Sequence, residues 1–271
     1  MRHHRNKTDA VAPEEIAPGV YRLGTGKGFM RSNVYFVRAG SSWALIDAAG
    51  PKCAASIQTA AASLFGAETP PASILLTHSH PDHAGSAREL ARAWRCPVYL
   101  HPDELPLTTG DIAVIRQYSN PLDRWMIFPL LRIMPPRKAQ AMLAAGSLTD
   151  VAAAFDPHAE PPGLPDWQCM HTPGHTPGHV SFFRPGDRVL ITGDAIVTLK
   201  LNSLSGLLFR KPGLSRPPRY ATWNWQAAKA SAAALATLEP RVLAGGHGTP
   251  ITGPTTARDL HAFAEQFSTQ S

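Results

Sequence analysis

Residues 77–83 read Thr77-His78-Ser79-His80-Pro81-Asp82-His83, a run that places three imidazoles and a carboxylate side by side. Imidazole nitrogen and carboxylate oxygen are the donors that hold zinc, iron or manganese. His78 and His80 stand two apart just past a short apolar run, Ser73 to Leu76, so an extended backbone turns both rings to one side. Pro81 suits the first position of a helix that then carries Asp82 and His83. One loop thereby offers two nitrogens to one metal ion, and an oxygen and a nitrogen to a neighbour.

Three further stretches repeat this chemistry: Pro173-Gly174-His175-Thr176-Pro177-Gly178-His179, Thr192-Gly193-Asp194-Ala195 and Gly245-Gly246-His247-Gly248. A lone histidine is more often a core or surface residue than a ligand. His175 and His247, however, each sit in a Gly- or Pro-rich turn after a predicted strand, and the first cluster needs additional donors. Asp194 follows the apolar run Val189 to Ile191, where an aspartate ordinarily caps a helix or closes a turn. A carboxylate there also has the chemistry to bridge two metals, and that is the role expected of it.

With 271 residues the chain is long enough to bury a core without a structural metal, so the expected metals are catalytic. Cys53, Cys96 and Cys169 are an odd number at wide spacings, which fits neither a disulfide framework nor a cysteine zinc ribbon and points to a reducing, cytoplasmic setting. No apolar run after the basic start, Met1 to Asp9, has the length of a signal core or a membrane span, so no membrane association is expected. His3 and His4 belong to that start and are set aside as solvated terminal residues. The net charge of +6 favours anionic partners, but no basic stripe interleaved with aromatics is present, which speaks for a small substrate, an anion among the options, rather than nucleic acid.

The order of elements begins with strands at Val20 to Leu23, Val34 to Val37 and Trp43 to Ile46, followed by a helix from Cys53 to Phe65 that stops at Gly66. The strand Ser73 to Leu76, the helix Ser86 to Arg95 and the strand Pro97 to Leu100 come next, with the histidine cluster in the first loop. Prolines at 106, 121, 129, 135, 136, 157, 161, 162 and 165 break up residues 102–166, which read as an insertion forming a lid or pocket wall; packing on the core or in a homodimer is the alternative. Regular elements resume at Gln168 to His171, Val180 to Phe183 and Arg188 to Thr192. After a second excursion at 199–220 come the helix Trp223 to Leu238, the strand Val242 to Ala244 and the helix Thr255 to Phe267. The whole chain, 1–271, is read as one domain.

From Val20 to His247 the chain resembles the metallo-β-lactamase-fold hydrolases, whose H-x-H-x-D-H motif is matched at His78, His80, Asp82 and His83 and whose later ligands are matched at His175, Asp194 and His247. The resemblance implies an α+β fold, a four-layer αββα sandwich, with His78, His80 and His175 on one metal, Asp82, His83 and His247 on the other, and Asp194 bridging. Two divalent ions are implied, zinc ahead of iron or manganese. Asp47, in Leu45-Ile46-Asp47-Ala48-Ala49-Gly50, is expected to orient a ligand histidine through its free N–H, and His179 resembles a supporting position rather than a ligand.

The chemistry implied is hydrolysis of an ester, lactone or thioester by a metal-bridging hydroxide, with Asp82 as the catalytic residue that accepts and returns a proton. β-Lactam cleavage is disfavoured, because family members with that activity usually carry serine or cysteine where Asp194 stands. Thr172 to His179 resembles glyoxalase II closely, yet 24 residues follow His247, too few for that group's C-terminal domain. A mononuclear iron enzyme like the persulfide dioxygenases, using His78, His175 and Asp194, is the competing reading, and a non-catalytic metal-binding protein is a third. Tyr118 and Tyr220 are both candidate oxyanion donors, and Arg210, Lys211, Arg216 and Arg219 either meet an anionic substrate or face solvent.

Overall fold

Alternation along β3 (Ser32–Ala39) and β4 (Ser42–Ile46) builds the architecture. In a strand successive side chains face opposite ways. Val34, Phe36, Trp43 and Leu45 enter a cluster shared with helices, whereas Tyr35, Val37, Ala44 and Ile46 enter a different one, shared with a second sheet. A strand buried on both faces reads as a continuous apolar run, which is why these strands are so visible in the sequence.

The computed structural model describes residues 12–26, 31–200 and 211–269; His3, His4 and Arg210 lie outside them. The first sheet joins β1 (Glu14–Ala17), β2 (Val20–Thr25), β3, β4, β5 (Ser73–Leu75), β6 (Val98–Leu100) and β7 (Ala152–Ala154) in chain order. Its pairs are antiparallel up to β4 and parallel from there on. The later strands are β8 (Gln168–His171), β9 (Val180–Arg184), β10 (Val189–Gly193), β11 (Val197–Leu199), β12 (Pro212–Ser215), β13 (Val242–Gly245) and β14 (Ile251–Thr252). A second sheet runs β14-β13-β10-β9-β8, and β11 pairs with β12 in a small ribbon.

Helices α1 (Ala54–Phe65), α2 (Pro81–Ala84) and α3 (Ala87–Trp94) line the outer face of the first sheet through Ala54, Ile57, Ala84, Leu90 and their neighbours. The segment between β6 and β7 holds α4 (Ile112–Gln117), α5 (Phe128–Ile133) and α6 (Pro136–Ala145). The last two helices of the described residues, α7 (Trp225–Ala236) and α8 (Thr256–Thr269), cover the second sheet through Ala228, Leu235, Leu260 and Phe267, which pack on Leu190 and Leu243. Val180, Phe182, Val189 and Ile191 complete the layer between the sheets. The result is the expected αββα sandwich. Among the described residues no helix is long and apolar enough to cross a membrane.

The strands and helices predicted from periodicity all occur, with ends shifted by up to two residues. Residues 102–166, however, are not one continuous excursion. Ala152–Ala154 pairs with β6 as the edge of the first sheet, and Phe155, Leu164 and Trp167 are buried between the sheets. The helices α4, α5 and α6 contain no buried residue, and Trp125 (84% exposed) and Ile133 (80%) face outward.

Trp43 anchors the helical side of the first sheet. Its ring stacks on Phe65 at 4.6 Å, meets Trp94 edge-on at 5.5 Å, and donates from Nε1 to Thr69 O at 3.0 Å. Replacing it with alanine opens a cavity among groups that cannot collapse onto it. Trp43→Ala is expected to cost about 3–5 kcal/mol in denaturant unfolding; a loss below about 1 kcal/mol contradicts this role.

Candidate metal centre

The parallel strands deliver the polar residues to one edge. Asp47 follows the end of β4, residues 76–83 follow β5, Asp194 follows β10 and His247 follows β13, while His175 and His179 lie in the β8–β9 connection. Asn33 and Tyr35 of β3 join the sheets there: Tyr35 Oη donates to Gly245 O at 2.6 Å, and Asn33 Nδ2 donates to Gly245 O and Gly248 O at 2.9 and 2.8 Å.

Residues 78–83 adopt the predicted local form. His80 is extended (φ −60°, ψ 146°) and precedes α2, with Pro81 at its first position and Asp82 in its first turn. The rings of His78 and His80 lie 4.8 Å apart, and each is within 4.8 Å of the His175 ring. His80 Nδ1 faces His175 Nε2 at 2.9 Å. On the other side, His247 Nε2 lies 3.3 Å from Asp82 Oδ2, and His83 Nε2 lies 3.8 Å from the same oxygen. Asp194 sits between the two groups: Oδ1 is 3.5 Å from His83 Nε2, and Oδ2 is 3.5 Å from His175 Nε2 and 3.4 Å from His247 Nε2. All seven residues singled out from the sequence, His78, His80, Asp82, His83, His175, Asp194 and His247, meet here.

The supporting contacts fix which nitrogen faces inward. His83 Nδ1–H donates to Asp47 Oδ2 at 2.8 Å, and the Thr77 N–H donates to Asp47 Oδ1 at 2.8 Å, so Asp47 orients His83 and the start of the histidine loop together. His247 Nδ1–H donates to Arg31 O at 2.8 Å. His179 Nε2 accepts the Asp194 N–H at 3.0 Å, which leaves the proton on Nδ1 to meet Thr172 Oγ1 at 2.9 Å. His179 thus holds the backbone of Asp194. Burial, with help from His83 and His80 and against the pull of Asp194, lowers its pKa to about 3 and keeps it neutral.

Two glycines make the close approach feasible. Gly193 takes a left-handed φ of +49°, and a Cβ on it would lie 2.7 Å from His179 Nε2. A Cβ on Gly246 would run into Asp194 Oδ1 and lie 2.6 Å from His83 Cε1.

The donor set fits divalent metals. His78 Nε2, His83 Nε2 and Asp194 Oδ1 are buried without a hydrogen-bond partner, a costly arrangement that a bound cation would relieve. Two trios of ligating atoms, those of His78, His80 and His175 and those of Asp82, His83 and His247, each gather within 4.8 Å. His101, Asp103 and His171 form another grouping, but its two rings stack at 4.1 Å and 12°, so their in-plane lone pairs run side by side instead of converging.

Glu104, Thr77 and Thr172 support the centre but carry no sequence signal of their own. The arm approaches at its edge: Tyr118 packs edge-on against Trp223, whose backbone N–H donates to Gly174 O and His175 O. Tyr220 is 45% exposed; burial raises its pKa, and the charges of Asp194 and Asp82 raise it further.

Fold and donor set are those of a metal-binding protein with its site at one edge of an αββα sandwich. The profile of the metallo-β-lactamase superfamily matches residues 28–247. The chain is 36% identical over 262 residues to the protein named "Probable metallo-hydrolase YflN" from Bacillus subtilis, covering 94% of this chain and 93% of that one. It is 27% identical over 204 residues to a hydroxyacylglutathione hydrolase of Bdellovibrio bacteriovorus, covering 70% of this chain and 61% of that one. Among solved structures it resembles TTHA1623 in a di-iron-bound form, with a TM-score of 0.55, 27% identity and coverage of 85% and 94% of the two chains. The chain belongs to the metallo-β-lactamase superfamily.

The protonation pattern predicts how metal uptake depends on pH. Burial pushes His78 well below the usual histidine value, reinforced by the neighbouring imidazoles, so it is already a lone-pair donor. Burial also works against charge on His83, but Asp47, Asp194 and Asp82 outweigh it and raise its pKa to about 9; His247 is raised in the same way by Asp194 and Asp82. A metal takes up a nitrogen only after its proton leaves. Adding zinc to the metal-free protein in weak buffer at pH 7 should therefore release at least one proton per chain, with the release falling as the pH rises through about 9, where His83 loses its proton unaided. Zinc uptake at pH 7 without proton release contradicts this pattern.

Proposed function

We propose that the protein is a dinuclear metal-dependent hydrolase acting on a small ester, lactone or thioester. The observation that carries this reading is the placement of the Asp194 carboxylate between two separate trios of donors. His78, His80 and His175 would hold one ion, Asp82, His83 and His247 the other, and Asp194 both. Zinc is the first choice, as the family resemblance implies, and imidazole with carboxylate is a donor set it accepts. When bound, two such ions polarise a carbonyl and bring the pKa of a water from about 15.7 towards about 7.

The chain's own groups supply the rest. His83 and His247 hold Asp82 ionised, outweighing the effect of its burial, so its carboxylate is an acceptor at neutral pH; it is positioned to take a proton from the attacking water and hand it to the leaving group. Tyr220 is our choice over Tyr118 as the donor to a developing oxyanion, since Tyr118 packs edge-on against Trp223 while the Tyr220 side chain is 45% exposed. Of the basic residues in the second excursion, Arg216 lies over the Trp225 ring at 5.8 Å, and Lys211 and Arg219 are exposed, as the solvent-facing alternative requires.

A mononuclear iron dioxygenase built on His78, His175 and Asp194 leaves the convergence of Asp82, His83 and His247 without a purpose. The similarity to a hydroxyacylglutathione hydrolase supports a thioester among the substrates to be tried.

A metal count followed by a panel of esters, lactones and thioesters tests the reading. About two zinc or manganese ions per chain with hydrolysis of at least one panel member is expected, and one iron with oxygen uptake would overturn it. On the best substrate, Asp82→Asn should lower kcat by about 10²–10⁴-fold, and Tyr220→Phe by about 10²–10³-fold with KM little changed. Unchanged kcat in either variant removes that residue from the mechanism.

A further inference from the structure

Glu104 lies just ahead of the 3₁₀ turn Leu105–Thr109, and its side chain is wholly buried. Oε1 accepts from the Ser79 N–H at 2.8 Å and from Ser79 Oγ at 2.6 Å. Oε2 accepts from Thr176 Oγ1 at 2.8 Å and from the Gly178 N–H at 3.0 Å. Ser79 stands between His78 and His80, and Thr176 follows His175 directly. One carboxylate therefore ties together the two loops that carry His78, His80 and His175. Its four hydrogen bonds reach neither the Asp82–His83 turn nor the His247 loop.

We propose that Glu104 is a positioning residue that sets the metal affinity of the His78/His80/His175 half of the centre and leaves the Asp82/His83/His247 half untouched; this rests on the two-metal reading above. Each carboxylate oxygen receives one backbone N–H, and a backbone N–H cannot turn away. A glutamine in this place sets its NH₂ group against either the Ser79 N–H or the Gly178 N–H, whichever way the amide is flipped. The site thus demands two acceptors, and a neutral group of the same size pushes the loops apart. Nitrogen ligands to zinc sit at about 2.0–2.1 Å, so small displacements of His80 relative to His175 weaken that half. Groups that orient ligands in this way typically change metal affinity by about 10–100-fold when altered.

The test is a zinc titration of wild type, Glu104→Gln and Thr176→Val followed through the ¹⁵N resonances of the histidine rings. In Glu104→Gln, His83 and His247 should respond at the wild-type zinc concentration, whereas His78, His80 and His175 should need about 10–100-fold more. Thr176→Val removes one donor of four and should shift the same three residues by less; it carries the test if Glu104→Gln does not fold. Equal weakening of both halves, or of neither, overturns the proposal. A wild type that takes up a single zinc would defeat the two-metal reading instead. Glu104 is then judged in the metal-free spectra, where the variants should move His78, His80 and His175 and leave His83 and His247 in place; unmoved resonances overturn it there too.

Discussion

A carboxylate buried with almost no access to water has to be compensated, and Asp194 is such a group. Burial alone would raise its pKa, but His247 and His83 outweigh that and hold it well below the usual range. Much of the surrounding backbone serves this arrangement. Gly193 turns left-handed to direct Asp194 inward, His179 accepts its N–H, and Gly246 lacks the Cβ that would strike its oxygen. A cation in each donor trio would complete the compensation, because the two together would satisfy the buried nitrogens and the carboxylate oxygen.

The sandwich supplies the other requirement, convergence. Asp47, residues 76–83, Asp194 and His247 reach one edge because β4 and β5 run parallel in the first sheet and β10 and β13 run parallel in the second, and the β8–β9 connection brings His175 to the same edge. Asn33 and Tyr35 then fasten the β13 end to β3, so His247 is fixed against the rest of the centre by hydrogen bonds as well as by packing. The donors are thereby ordered before any metal arrives, which reduces the entropy lost on binding.

The residues of the centre were legible because metal chemistry narrows the choice to a few side-chain types and loop spacing does the rest. The sandwich strands were legible because burial on both faces leaves apolar runs such as Val34 to Val37 and Val189 to Ile191. Edge elements escaped for the opposite reason. Ala152–Ala154 has little β propensity and is strand only because β6 offers an open side, and β14 is a two-residue pairing. Glu104 escaped because a solvated acid and a buried one look the same in a sequence; its burial comes from two loops that close over it from far along the chain. The proline-broken stretch 102–166 was read as a unit, whereas it divides into an outward arm and a return through Phe155, Leu164 and Trp167 into the core.

The central claim is that Asp194 lies between two metals and not beside one. X-ray absorption spectroscopy of the zinc-loaded protein tests this directly. The account predicts nitrogen and oxygen neighbours and a metal–metal scattering path at about 3.5–4 Å. A zinc environment with the light-atom shell but no metal neighbour, at full loading, would contradict it.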